Sequence, residues 1–328
     1  MARPGRLPPP ALHPRISVVV PSYNGGRYLP ATLRSILAQQ GAELEVVVVD
    51  DGSTDGSAEM VARDFPQVRL IRQQNQGVSV ARNRGIDAAR HEWVAFLDAD
   101  DIWLPGKLKA QLERLRDVPE ARMVYTAWHV WTSSEETPGC DWLAGLVEGP
   151  AALPEESGPD GWIYPELLLD CHVWTSTTMA RTDFLRELGG FDPALRIGED
   201  YDLWLRASRL TPILRIDKPL ALYRMHPGNV TKGVPRANYK GEIVERALRQ
   251  WGYAGPDGRQ ARRRDVDKGL ARSWSDYAGA HLIGGDVDIA WRAARRAVAL
   301  DPSMALAWTV LLKSMLKTLP GRRRRAAP

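Results

Sequence analysis

The segment His91–Trp103, HEWVAFLDADDIW, joins an apolar run to a cluster of three carboxylates. Its first part, Trp93–Leu97, has the length and composition of a strand buried on both faces of a parallel sheet. Asp98, Asp100 and Asp101 follow directly. Carboxylates this close repel one another at pH 7, and burial increases the cost. The cluster therefore indicates either a solvated acidic loop or a site where carboxylate oxygens share a hard divalent cation.

The whole sequence, 328 residues with 44% hydrophobic and 26% charged side chains, is typical of a soluble globular protein. Its length suffices for one large domain and a smaller one. The two cysteines, Cys140 and Cys171, provide neither a disulfide framework nor the spacing of a zinc site. They predict an intracellular, reduced protein, although secretion without disulfides is compatible with the same count.

The two ends of the chain differ in composition from its middle. Residues 1–14 contain five prolines and no hydrophobic segment, which predicts a disordered leader rather than a signal peptide. No apolar run has the length of a membrane span. Residues 1–240 carry 27 basic and 31 acidic side chains, whereas residues 241–328 carry 17 basic and 9 acidic ones. The basic surplus therefore belongs to the C-terminal part and does not by itself indicate nucleic-acid binding.

Strands and helices alternate along residues 16–131. Runs of β-branched residues predict the strands, and apolar residues at helical spacing predict the helices between them. The predicted strands are 16–20, 45–49, 68–72, 93–97 and 123–131, and the predicted helices are 28–39, 56–64, 78–89 and 105–116. This order predicts parallel βαβ units with helices on both faces of one sheet.

Three of the predicted strands end in polar clusters, Pro21–Asn24, Asp50–Asp55 and Asp98–Asp101. Each cluster alone fits turn chemistry. Parallel strands of one sheet share an edge at their carboxyl ends, where ligands bind, so the three clusters together predict a site. A dinucleotide-binding domain and a P-loop are disfavoured, because neither glycine-rich motif is present.

The second half of the chain is less regular. Residues 132–161 are rich in Gly, Pro, Glu and Ser, which is typical of a lid, a binding loop or disorder. Strands are predicted at 175–180 and 219–223 and a helix at 183–188. The segment GEDYDLWLR (198–206) predicts a buried helix that opens with three acids. Acids in a first turn are also explained by the helix dipole alone.

Seven motifs follow one another in an order that resembles the family 2 glycosyltransferases. They are VVVPSYN (18–24), VVVVDDGSTD (46–55), NQGVSVARNRG (75–85), FLDADD (96–101), GGFDP (189–193), GEDYDLWLR (198–206) and YRMH (223–226). The resemblance implies the α/β GT-A fold, a Rossmann-like nucleotide-sugar-binding domain with a mostly parallel sheet, over residues 15–235. A small helical region at 236–320 and a basic tail at 321–328 would follow it.

The resemblance also implies the ligands. Relatives use a nucleoside-diphosphate sugar and a divalent metal, Mn or Mg. The metal-binding positions would be Asp100, Asp98 and His226, although a lone histidine is more often structural. The donor-binding positions would be Pro21, Tyr23, Asn24, Asp50, Asp51, Arg82, Asp98 and Ala99. Arg82 would contact phosphate through its guanidinium, or else be an ordinary arginine on a helix surface.

By the same resemblance Asp200 is the catalytic base, with Glu199 orienting or binding the acceptor. A hydroxyl becomes a good nucleophile only when a nearby carboxylate takes its proton. Direct displacement at the anomeric carbon then inverts the configuration. The expected function is an inverting glycosyltransferase acting on a hydroxyl-bearing acceptor, in polysaccharide biosynthesis. Trp174 and Trp204 are candidates for a sugar-stacking surface.

Two other functions fit part of the pattern. A non-catalytic protein that binds sugar nucleotides or glycans would share the fold but would not need intact Asp98, Asp100 and Asp200. A nucleotidyltransferase would share acids at strand ends but would not need the GEDYDLWLR segment.

The C-terminal part predicts helices at 286–300 and 303–317. Two interpretations are open. In one the helices pack on the catalytic domain and the arginines are solvated. In the other, apolar residues of 303–317, with Lys313, Lys317 and Arg322–Arg325, contact an anionic membrane. The expected location is cytoplasmic, with peripheral contact at the inner face of the membrane as the second alternative.

Overall fold

The computed structural model describes residues 14–131, 158–226 and 233–318. Residues 1–13 of the predicted leader, residues 132–157 of the irregular segment and the whole basic tail lie outside the described residues. The chain divides into two compact units. The first contains residues 1–164 and 171–226, and the second contains residues 165–170 and 227–328. No helix among the described residues is both long and apolar enough to cross a membrane.

The first unit is built on an eight-stranded mixed sheet. Its order is β3-β2-β1-β4-β7-β6-β8-β5. The pairs β1–β2, β1–β4, β2–β3 and β6–β8 are parallel, and β4–β7, β6–β7 and β5–β8 are antiparallel. The strands are β1 (Arg15–Ser22), β2 (Glu43–Asp50), β3 (Arg69–Arg72), β4 (Trp93–Phe96), β5 (Ile102–Trp103), β6 (Met123–Trp131), β7 (Met179–Arg181) and β8 (Ile213–Arg224).

Helices connect these strands as the sequence predicts. They are α1 (Leu29–Leu37), α2 (Ser57–Asp64), α3 (Val78–Ala88), α4 (Lys107–Asp117), α6 (Thr182–Glu187) and α7 (Glu199–Ala207). The four-residue α5 (Tyr164–Leu167) was not predicted, and all of it except Tyr164 belongs to the second unit. The β-branched runs of β1 and β2 are almost wholly buried, and α1, α2 and α4 contribute leucine, isoleucine and valine to the same core. Burial on both faces explains why these strands read as continuous apolar runs.

The structure corrects two strand predictions and adds one strand. Thr175–Thr177 forms a 3₁₀ turn, and the strand predicted at 175–180 begins only at Met179. The strand predicted at 219–223 is the end of the twelve-residue β8. The two-residue β5 was not predicted, because so short a strand has no periodicity and depends on its antiparallel partner β8.

The second unit contains four longer helices, α8 (Tyr239–Trp251), α9 (Arg263–Gly284), α10 (Val287–Leu300) and α11 (Ala305–Thr318). Asn238 caps α8 and Asp286 caps α10, each through its side-chain oxygen. An alanine-rich core joins α9, α10 and α11. The sequence predicted α10 and α11 but neither α8 nor α9. Three of the eight buried residues of α9 are alanine or serine, which give little apolar contrast.

Gly85 brings α3 into close contact with β1. A Cβ atom added at Gly85 would lie 2.3 Å from Val19 Cγ1, so only glycine fits between the helix and the strand. Arg82, which becomes important in the site, lies one helical turn earlier in α3.

We predict that Gly85→Ala lowers the free energy of unfolding by about 1–3 kcal/mol, because the new methyl group overpacks the helix–sheet contact. Gly279→Ala is the matched control, since Gly279 also lies in a helix but has open space at its Cβ position. That substitution is expected to raise stability by about 0.5–1 kcal/mol. Urea denaturation measures both, and an equal effect of the two substitutions would contradict the packing argument.

Lys107, at the start of α4, is wholly buried. Its Nζ donates to Gln111 Oε1 at 2.9 Å and lies 4.1 Å from the centre of the Trp103 ring. Burial lowers the pKa of the Lys107 ammonium well below its ordinary value. Because its pKa differs between the folded and the unfolded chain, Lys107 makes the free energy of unfolding depend on pH.

We predict that the stability of the wild type rises with pH, relative to Lys107→Met, up to the ordinary lysine pKa of about 10.4. The folded state holds this proton less tightly than the unfolded chain, so the unfolded state binds more protons between the lowered pKa and the ordinary value of about 10.4. Stability therefore increases with pH in that interval and the variant lacks this contribution. Urea titrations at several pH values measure the difference, and a constant difference would refute the assignment.

Candidate functional site

The acidic turn that follows β4, Asp98–Asp101, is held in shape by the buried carboxylate of Asp101. Asp101 is 1% exposed. Its Oδ2 accepts a hydrogen bond from the Ser176 hydroxyl at 2.5 Å, and its Oδ1 accepts from the Arg224 backbone N–H at 3.0 Å. The Ser176 hydroxyl oxygen also accepts from the Asp98 backbone N–H at 3.1 Å. Asp101 therefore fixes the turn internally, whereas the side chains of Asp98 and Asp100 remain partly exposed.

Arg224 supports the same turn from β8. Its guanidinium is packed against the rings of Tyr28, at 4.4 Å, and Trp131, at 4.2 Å, and Nε donates to the Asp100 carbonyl oxygen at 2.8 Å. From α1, the Thr32 hydroxyl lies 3.0 Å from the Ala99 carbonyl oxygen. These contacts give the backbone of the turn a defined shape.

Arg82 links this turn to α7. Nη2 donates to Asp98 Oδ1 at 2.7 Å, and Nη1 donates to Glu199 Oε1 at 2.6 Å. The guanidinium is buried and lies 5.1 Å from the centre of the Phe191 ring. Burial lowers the pKa of Arg82, but Asp98 and Glu199 raise it more, so it stays above its ordinary value. The alternative of a surface arginine is wrong, and both terminal nitrogens have carboxylate partners.

Asp200 lies in the first turn of α7, beside Glu199. The Thr175 hydroxyl donates to its Oδ2 at 3.0 Å, and the Tyr201 backbone N–H donates to its Oδ1 at 2.7 Å. Burial raises the pKa of the Asp200 carboxyl above its ordinary value, while the positive charge of Arg82 lowers it in part. The result is a carboxylate with a raised affinity for protons, held in one orientation.

Asp100 and His226 meet at the other side of the acidic turn. His226 Nε2 lies 2.9 Å from Asp100 Oδ2, and the imidazole contacts the Tyr28 ring with centres 4.9 Å apart. Burial, with the negative charge of Asp98, raises the pKa of the Asp100 carboxyl, and His226 lowers it in part. Histidine and carboxylate are thus brought together from segments more than a hundred residues apart.

The loops after β1 and β2 are bonded to each other. The Asn24 backbone N–H donates to Ser53 Oγ at 2.9 Å, and Asn24 Oδ1 accepts from the Thr54 backbone N–H at 2.8 Å. Asn24 has a φ of +51°, a left-handed conformation that asparagine tolerates better than most residues. Asp50 is buried and accepts from the Ser53 backbone N–H at 3.3 Å. The polar clusters after β1 and β2, two of the three predicted at strand ends, are therefore joined by hydrogen bonds.

Asp51 holds the loop that precedes α3. Its Oδ1 accepts from Gln73 Nε2 at 2.7 Å and from the Gln76 N–H at 2.9 Å, and its Oδ2 accepts from the Gly77 N–H at 2.8 Å. The sequence did not reveal these partners. Pro21 is buried in β1, opposite Val49 of β2, whereas the Tyr23 side chain is 55% exposed at the end of that strand.

The two tryptophans named as stacking candidates have different surroundings. Trp204 is fully buried in the core, so its candidacy is wrong. Trp174 is only partly buried, packs against Tyr223 with ring centres 4.2 Å apart, and directly precedes Thr175, the partner of Asp200. Trp174 therefore lies at the site and Trp204 behind it.

The chemistry of Asp98, Asp100 and His226 fits a hard divalent cation. Among the described residues no group of three or more His, Cys, Asp or Glu side chains forms a metal cage by itself. Mg²⁺ sites that also use substrate phosphates typically rely on one or two carboxylates. Burial and the charge of Asp98 raise the pKa of the Asp100 carboxyl. A bound cation would oppose that effect, because it favours the ionised carboxylate.

Known proteins resemble this chain in sequence and in fold. Residues 17–135 match the family described as Glycosyl transferase family 2. An uncharacterized glycosyltransferase of Nostoc sp. is 33% identical over 225 residues, which are 66% of this chain and 66% of that protein. The chain belongs to glycosyl transferase family 2.

A further member of interest is the succinoglycan biosynthesis protein ExoO of Rhizobium meliloti. It is 44% identical over 202 residues, 60% of this chain and 56% of that protein. The aligned segments span between 27% and 68% of the lengths of the curated relatives.

Solved structures of S. aureus TarS share the fold. The complex of TarS residues 1–349 with UDP has a TM-score of 0.61 at 18% identity, over 92% of this chain and 88% of that chain. The complex with UDP-GlcNAc has a TM-score of 0.56 at 19% identity, over 92% of each chain. The family 2 protein described here thus has the GT-A fold, with a helical C-terminal region, as predicted from the motifs.

We predict that Arg82→Met lowers the free energy of unfolding by about 3–5 kcal/mol, because it leaves the buried Glu199 and the adjacent Asp98 without their cation. Adding Glu199→Gln to that variant is expected to recover part of the loss, since one uncompensated charge is then removed. Arg84→Met, at an exposed position of the same helix, is the control and is expected to change stability by less than about 0.5 kcal/mol. Independent, additive effects of the two site substitutions in urea denaturation would refute the coupling.

Proposed function

We propose that this protein is an inverting glycosyltransferase that moves a sugar from a nucleoside-diphosphate sugar to a hydroxyl acceptor. The observation that carries the proposal is the double salt bridge of Arg82 to Asp98 and Glu199. This double salt bridge connects two parts of the site. One is the acidic turn, which is expected to bind the donor, and the other is α7, which carries the expected base. Acids separated by about a hundred residues therefore share one site.

Asp200 is the group that would accept the proton of the acceptor hydroxyl. Its raised pKa suits a general base, because proton transfer is most effective when the pKa lies nearer the working pH. The Thr175 hydroxyl and the Tyr201 N–H fix the carboxylate without neutralising it. Removal of the proton makes the hydroxyl oxygen a nucleophile for the anomeric carbon, and attack opposite the departing diphosphate inverts that carbon. Glu199, held by Arg82, orients the base or the acceptor.

A divalent cation, Mn or Mg, would be held by Asp100 and Asp98 with His226. When bound, it would neutralise charge that develops on the departing diphosphate. Hard carboxylate oxygens suit either ion. Arg82 and Arg224 keep the acidic turn in place, since they hold the Asp98 side chain and the Asp100 backbone respectively.

The donor would lie along the carboxyl ends of β1, β2 and β4. Complexes of TarS with UDP and with UDP-GlcNAc support a nucleoside-diphosphate sugar as the donor class. The linked loops of Asn24, Asp50 and Asp51 would form the nucleoside end, together with Pro21 and Tyr23, and the turn at Asp98 and Ala99 would face the diphosphate. Asp51 would act mainly by shaping the loop at Gln73–Gly77, given its three hydrogen bonds there.

The setting we favour is polysaccharide biosynthesis, with a glycan or lipid-linked acceptor. The likeness to ExoO, named for succinoglycan biosynthesis, supports it. A cytoplasmic location remains a prediction of the sequence.

The test begins with a panel of nucleoside-diphosphate sugars screened by thermal shift with Mn²⁺. Once the donor is known, Asp200→Asn is expected to lower the rate of sugar transfer by about 100- to 10,000-fold, because it removes the base. The same loss is expected for hydrolysis of the donor, in which water is the acceptor. The donor affinity of the variant should remain close to that of the wild type. Asp100→Asn is expected instead to lose the metal-dependent part of donor binding, measured by calorimetry with and without Mn²⁺.

Asp202→Asn is the control for Asp200→Asn, since Asp202 lies in the same helix and pairs with Arg206 rather than entering the site. It should keep the wild-type rate. Donor binding without release of nucleoside diphosphate in the wild type would favour a non-catalytic binding protein. A large loss of donor affinity in Asp200→Asn would show that Asp200 binds the donor rather than the acceptor proton.

A further inference from the structure

The helix α11 carries apolar side chains on two opposite sides. Its sequence, ALAWTVLLKSMLKT, contains no acidic residue. Ala307, Val310 and Leu311 are buried in the core that α11 shares with α9 and α10. A helix that is apolar all round normally has a second apolar neighbour. The first side of α11 has its neighbour within the second unit.

The second apolar side of α11 is exposed. The side chains of Trp308, Leu312, Met315 and Leu316, which we call the docking face, are between 44% and 57% exposed. Their spacing of three and four residues places them on one side of the helix. A contiguous apolar face on a surface helix marks an interaction site, unlike single exposed apolar residues.

The surroundings of the docking face are basic. Lys313 is exposed on α11 beside Leu312 and Leu316 along the helix circumference. Lys317, four residues further along α11, is also exposed. Residues 241–328 as a whole carry 17 basic and 9 acidic side chains. An apolar face flanked by cations complements a surface that combines anionic groups with a hydrocarbon interior.

We propose that the docking face binds the surface of an anionic lipid bilayer, with the apolar side chains below the headgroups and Lys313 among the phosphates. Amphipathic helices with this arrangement lie in the plane of the interface, and anionic lipids attract their basic residues. A second copy of the chain is a poorer occupant, because it would bring the same positive charge against the face. The proposal does not depend on the glycosyltransferase function.

Sedimentation of the full chain with vesicles tests the proposal. Phosphatidylcholine vesicles are compared with equimolar phosphatidylcholine–phosphatidylglycerol vesicles. We expect the wild type to bind the anionic vesicles preferentially, and added salt to weaken binding. The double variant Leu312→Ser/Leu316→Ser should bind the anionic vesicles at least about tenfold more weakly, because it removes two apolar side chains from the contact. Lys313→Gln should reduce the preference for anionic vesicles.

Two control variants match these changes outside the docking face. Ile283→Ser removes an apolar side chain that is 89% exposed on α9, and Lys268→Gln removes an exposed lysine of the same helix. Both should bind like the wild type. Equal binding by the double variant and the wild type, or equal binding to both vesicle types, would overturn the proposal. So would light scattering that shows a dimer in the wild type and a monomer in the double variant, since a second copy would then cover the face.

Discussion

The charge of Arg82 is the constraint on which the site depends. Glu199, Asp200, Asp98 and Asp101 lie close together under partial or complete burial, and such carboxylates destabilise a fold unless a cation is present. Arg82 supplies the internal cation and contacts two of the acids directly, through the two arms of one guanidinium. Lysine could not do the same, because its ammonium is a point charge without a planar fork. The helix that carries Arg82 can lie this close to the sheet because Gly85 has no side chain.

A second support acts on the backbone rather than on charge. Asp101, Ser176, Thr32 and Arg224 bond to one another or to the acidic turn, and they come from four different parts of the chain. These bonds hold the turn through its backbone and through the buried Asp101 side chain. Asp101 is therefore a structural residue, whereas the side chains of its neighbours Asp98 and Asp100 are partly exposed.

The sequence predicted the strands from β1 to β4, their helices and the family, because β-branched runs, helical spacing and motif order are local signals. It also predicted which strand ends would meet, since parallel strands share an edge. It could not predict the partners of Arg82 or Asp51, because those contacts join residues distant in sequence. Local signals were weak or misleading at two other places. In α9, three of the eight buried residues are alanine or serine and give little apolar contrast. At the 3₁₀ turn Thr175–Thr177, the β-branched threonines suggested a strand.

The division of the chain into two units affects the order in which the protein folds as it is synthesised. Residues 165–170 belong to the second unit although they precede the last quarter of the first. Glu166 pairs with Arg259 and Asp170 pairs with Lys240, each at a distance of 2.6–2.7 Å. When the chain leaves the ribosome, this short segment emerges well before the helices that it joins, so its partners are absent until residues 239–259 are synthesised. The second unit is thus assembled last and from two separate stretches, and cleavage of the chain at residue 226 would not yield it intact.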